Sequence, residues 1–92
     1  MYSKETIIKN PSGLHARPAS EFVQKAKEFK SKINIQHTGD DSQIGNAKSM
    51  IKLLALCFSQ GDSITISAEG DDETAAVDAL VSIVESGFGE IG

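Results

Sequence analysis

One cysteine, two histidines, two prolines and no base after residue 52: each shortage in this chain closes off a class of explanation. With Cys57 alone no internal disulfide can form, and such cysteine usage suits a reducing cytoplasm, the expected location. Cys57 falls in the apolar run Leu53-Leu54-Ala55-Leu56-Cys57-Phe58 and is expected to be buried as a small hydrophobe. His15, His37 and Cys57 stand at no metal-ligand spacing, which argues against a metal-dependent hydrolase; no metal or cofactor is expected. No apolar run approaches the ~20 residues that span a bilayer, and the opening Met1-Tyr2-Ser3-Lys4-Glu5 lacks the form of a signal peptide. All nine basic residues lie at or before Lys52, whereas eight of the thirteen acids lie beyond it. With a net charge of −4 and no basic run interleaved with aromatics, nucleic acid is a poor partner. A basic face that meets acidic proteins is the better use of the early lysines, although part of them are simply solvated.

What is present reads as one small domain over residues 1–92, long enough for a single core. Residues 2–9 suit a strand with Thr6 and either Ile7 or Ile8 facing inward. Ala19, Phe22, Val23, Ala26 and Phe29 recur at helical spacing and predict a helix to about residue 29. A strand over 32–38 carries Ile33 and Ile35 on one face, with His37 a partly exposed structural histidine at its end. After the loop 38–42 comes a weak strand over 43–47, then a helix over 50–56 with Ser49 as N-cap. In that helix Leu53 and Leu56 can point inward. Met50, Ile51 and Leu54 then form a separate apolar arc, either a docking patch or the second side of a fully packed helix. Ile64, Ile66 and Ala68 alternate cleanly with Thr65, Ser67 and Glu69. A last helix buries Ala76, Val77, Leu80, Ile83 and Val84 and stops at Gly87. The order βαββαβα predicts a two-layer α+β fold, with an antiparallel sheet covered by helices on one face and solvated on the other. The tail 88–92 carries no pattern.

The chemistry concentrates where the first helix begins. Asn10-Pro11-Ser12-Gly13 has turn composition and leads from the first strand to His15. Pro18 marks the first helical turn, where proline is tolerated. Because a residue before proline resists the α region, Arg17 is expected at the edge of the helix. An imidazole at this point is nucleophilic and close to titrating at pH 7. The helix N-terminus and the planar guanidinium of Arg17 both favour an anion there. The group reads as a histidine that carries a phosphoryl group, against the plainer alternative of a cap or a solvated surface residue.

The string Gly13-Leu14-His15-Ala16-Arg17-Pro18-Ala19 resembles the active-site signature of the HPr family, the histidine-containing phosphocarriers of bacterial sugar phosphotransferase systems. The likeness runs on through Asn46-Ala47-Lys48-Ser49 and Ile64-Thr65-Ile66-Ser67-Ala68-Glu69-Gly70 to almost the whole chain. It implies an open-faced β-sandwich, a four-stranded antiparallel sheet covered by three helices. It also implies a monomeric carrier rather than an enzyme: His15 takes a phosphoryl group from enzyme I on its Nδ1 and passes it to enzyme IIA domains of sugar permeases. Arg17 would then stabilise the phosphate, while Gly13, Ala16 and Pro18 shape the turn. Lys27, Lys48 and Lys52 join Met50, Ile51 and Leu54 as docking residues. Ser49 matches a serine that in some bacteria is modified by HPr kinase/phosphorylase, after which the protein binds a catabolite repressor. Lys52, however, stands where relatives so regulated often carry glycine. An adapter that has lost phosphate transfer is the rival reading, and the intact His15 and Arg17 speak against it.

Overall fold

The computed structural model describes residues 1–89. Four strands, β1 (Tyr2–Ile7), β2 (Lys32–His37), β3 (Gly45–Asn46) and β4 (Ser63–Glu69), form one antiparallel sheet in the order β1-β4-β2-β3. The segment with the cleanest alternation, β4, takes the central place. It pairs with β1 from Tyr2↔Ala68 to Ile7↔Ser63, and with β2 from Lys32↔Glu69 to His37↔Ile64. Period-two side chains put Ile64, Ile66 and Ala68 of β4 and Ile33 and Ile35 of β2 on one face, where all are buried. The opposite face presents Ser3, Glu5 and Asn34 to solvent. Helices α1 (Ala16–Lys27), α2 (Met50–Ala55) and α3 (Glu73–Glu85) cover the apolar face and contribute Phe22, Leu53, Leu80 and Val84 to a core that also holds Leu14 and Phe58.

Several details differ from the sequence expectation. The open choice at β1 falls to Ile8, just past the strand end, which is buried together with Thr6 while Ile7 is half exposed. The strand ends at Ile7 because Ile8 exchanges its backbone bonds with a turn instead: its N–H donates to Asp62 O at 3.0 Å and its carbonyl accepts from Gly61 N at 2.8 Å. Helix α1 stops at Lys27, two residues early, although Phe29 still packs on the core. The weak strand over 43–47 shrinks to the two residues that can pair with Asn34 and Ile35. Val81 joins the buried stripe of α3, and Gly87 ends that helix with a φ of 72°. Phe88, in a tail that carries no sequence pattern, is buried; residues 90–92 lie outside the described part of the chain.

Cys57 overturns its expectation: the thiol is exposed. Helix α2 is only six residues long, and Cys57 lies just past its C-cap, Leu56, with φ 54°. The left-handed conformation reverses the chain so that Phe58, rather than Cys57, enters the core.

Candidate functional site

The turn before α1 is closed twice. Gly13 N–H donates to the Asn10 carbonyl at 3.1 Å, and the buried Asn10 side chain donates from Nδ2 to the Gly13 carbonyl at 2.8 Å. Gly13 has φ 63°, and a Cβ there would lie 2.5 Å from the Phe58 carbonyl oxygen. Only glycine fits both demands. Leu14 is fully buried, and its N–H donates to that same Phe58 carbonyl at 3.1 Å. The chain is thus fastened on one side of His15 by Phe58 and on the other by the buried ring of Pro18.

Between these anchors His15 is exposed. It is the N-cap of α1 in extended backbone, φ −132° and ψ 159°, and its side chain makes no capping bond. The plainer reading of His15 as a side-chain cap therefore fails on geometry. Ala16 has φ 52°, a left-handed conformation costing an alanine on the order of 1–3 kcal/mol. Arg17 is the second residue of the helix, at its edge, and its Nε lies 3.4 Å from Glu21 Oε1 one turn on. No acid occupies the first turn of α1. The arrangement offers an open imidazole, a helix N-terminus and an exposed guanidinium to an anion approaching from solvent.

The remaining candidates divide. Ser49 is the N-cap of α2, its Oγ accepting from Lys52 N–H at 3.3 Å. Met50 packs partly against the core, so the apolar arc narrows to Ile51, 81% exposed, and Leu54, 38% exposed. Lys27 and Lys52 are exposed, whereas Lys48 donates from Nζ to the Phe29 carbonyl at 2.6 Å and so closes the end of the α1 segment. Helices α1 and α2 pack against each other. It is the C-terminal end of α2, through Phe58, that meets the His15 loop. Ser49 lies at the other end, about 9 Å along an axis rising 1.5 Å per residue. Sequence reading missed Phe58 as the floor of the loop and Glu21 as the partner of Arg17; the i, i+4 spacing of Arg17 and Glu21 was the available signal. Among the described residues no cluster of three His, Cys, Asp or Glu side chains could hold a metal ion. No described helix is long and apolar enough to cross a membrane.

Comparison with known proteins gives one answer at three levels. A family model described as the PTS HPr component phosphorylation site matches residues 2–86. The phosphocarrier protein HPr of Haemophilus influenzae is 45% identical over 84 residues, 91% of this chain and 95% of that protein. A crystal structure of HPr-C-His from Thermoanaerobacter tengcongensis superposes with a TM-score of 0.91 at 48% identity, covering 98% of each chain. A structure of an HPr dimer from the same organism reaches 0.75 at 49% identity, covering 92% of this chain and 94% of that one. The open-faced sandwich, the signature at the start of α1 and these likenesses agree: the chain belongs to the HPr family of phosphocarrier proteins of the phosphotransferase system.

Proposed function

We propose that His15 is the phosphoryl acceptor of this carrier. One observation carries the reading: an exposed imidazole at a helix N-cap that makes no capping bond, in a backbone fastened on both sides. Phosphoryl transfer depends chiefly on positioning and charge neutralisation, so an accessible nucleophile with nearby cations suffices without a deep pocket. The Nδ1 of His15 attacks the phosphorus of phospho-enzyme I. A new N–P bond forms as the donor's N–P bond breaks, and in the onward step the acceptor of an enzyme IIA domain attacks the same phosphorus while the His15 N–P bond breaks and returns its electron pair to the imidazole. Arg17 leaves Glu21 for the phosphate oxygens, and the first-turn N–H groups of α1 add to the neutralisation. The chain acts as a single carrier domain in the cytoplasm and as a relay rather than an enzyme. It works as a monomer, although the Thermoanaerobacter relative has been solved as a dimer. Docking falls to Ile51 and Leu54 together with the exposed Lys27 and Lys52, and Lys48 contributes only if it releases Phe29.

Ser49 is the second candidate for modification, by HPr kinase/phosphorylase, and the product would recruit a catabolite repressor. Its hydroxyl caps a helix start, where a phosphate is electrostatically welcome. Mass spectrometry tests both sites. Incubation with enzyme I and phosphoenolpyruvate should add one acid-labile phosphoryl group at His15 and none to His15→Ala. Label on His37, or equal labelling of His15→Ala, defeats the reading of His15. With the kinase and ATP, acid-stable phosphate should appear at Ser49, and its absence defeats the second reading.

A further inference from the structure

The second histidine makes contacts that lead back to the first. His37, at the end of β2, stacks its ring on Phe58 with centroids 4.4 Å apart and planes tilted by 34°. Its Nε2 lies 3.3 Å from Asp62 Oδ2. The same carboxylate oxygen accepts Ser59 N–H at 2.8 Å, and Asp62 N–H donates to the Ser59 carbonyl at 3.0 Å, so Asp62 closes the 59–62 turn. His37 therefore grips both the buried ring of Phe58 and the turn that follows it. Phe58 is the residue whose carbonyl receives Leu14 N–H and against which Gly13 is pressed.

We propose that His37 is a positioning residue for phosphoryl transfer: by clamping Phe58 and the 59–62 turn, it holds the backbone floor on which Gly13 and Leu14 place His15. The inference rests on the reading of His15 as acceptor. The ring is the working part, because an aromatic pair favours one tilted, offset geometry and so defines where the Phe58 backbone lies. Misplacing a nucleophile is a loss felt in the transition state, so it falls on kcat rather than on KM.

The test compares wild type, His37→Thr, which removes the ring yet suits a strand end, and His37→Phe, which keeps the ring but not the Asp62 contact. Turnover of each by enzyme I is followed at a temperature where circular dichroism shows all three folded. The Thr variant is expected to lose about threefold to tenfold in kcat, the range an aromatic pair is worth, with KM within about twofold. The Phe variant should restore most of the loss. Hydrogen exchange gives an independent reading: the Leu14 amide, bonded to Phe58, should exchange faster in the Thr variant and regain protection in the Phe variant. A Thr variant with wild-type kcat and wild-type Leu14 protection overturns the inference, as does a loss that Phe fails to restore. If instead the wild-type label lies elsewhere than His15, the reading of the acceptor has failed, a result distinct from either.

Discussion

The guanidinium of Arg17 lies 3.4 Å from Glu21, and 75% of its side chain is exposed. An exposed i, i+4 pair of this kind is worth at most about 1 kcal/mol, and usually less. Arg17→Glu should therefore change stability to urea by no more than about that amount. Transfer to and from His15 should nevertheless slow by about tenfold or more, as when a preorganised cation is removed from developing phosphate charge. Stopped transfer assays within twofold of wild type would show that Arg17 serves only the helix. At this scale the sequence was most informative, because Gly13, His15, Arg17 and Pro18 each occupy a position that their own covalent chemistry explains. What it could not show is that His15 leaves the cap unfilled. A histidine can bond back to its helix or turn away from it, and that choice depends on the backbone set by Ala16 and the anchors around it.

Among the elements, α2 departs furthest from its reading, and the cause is its shortness. Six residues give less than two turns, so one buried residue, Leu53, and partial cover from Met50 and Leu56 satisfy the core. The run that looks continuously apolar is then cut by a chain reversal at Cys57. Native protein should react with Ellman's reagent at one thiol per chain, at a rate near that of the unfolded chain. Protection by a hundredfold or more would restore the buried cysteine read from the apolar run. Strand β1 carries a similar lesson. Its alternation left Ile7 and Ile8 equivalent, and the decision came from a turn more than fifty residues away, through the Ile8 bonds to Gly61 and Asp62.

For the whole molecule, the carboxylates of the later chain act as ties between segments. Asp72, at the N-cap of α3, leaves its own helix uncapped and accepts instead from Lys30 N–H at 2.8 Å, from Ser31 N–H at 3.0 Å and from the Ser31 hydroxyl. The Ser31 hydroxyl, then the Lys30 amide, hold its carboxyl below the usual carboxylate range. Asp78 is held low by Lys4 and Tyr2, and Glu73 by the Gly70 amide and the N-terminal ammonium. A depressed pKa in the folded state means that the unfolded chain binds the proton more readily. The stability from these ties is therefore present above the ordinary carboxylate range and is lost as pH falls through the folded-state values. Wild type should melt above Asp72→Ala at neutral pH, and the gap should narrow as the solution is acidified below the carboxylate range. A gap independent of pH would mean that the loop between α1 and β2 is held by packing alone.

Periodicity in the sequence was enough for the element order, the inward residues of β2 and β4 and most of the stripe of α3, where Val81 is buried and Ile83 only partly so, because burial against one layer imposes a period of two or 3.6 on any chain that folds this way. The signature at the start of α1 was legible for a related reason: proline, glycine and a helix N-terminus act locally. Only the tertiary structure decided the strand order, the exposure of Cys57, the engagement of Lys48 with Phe29, and the joining of Phe58 to the His15 loop on one side and to His37 on the other. Each depends on which distant backbone groups come within hydrogen-bond or ring contact, and in a sheet whose last strand inserts between the first two, those partners are set by packing and not by spacing along the chain.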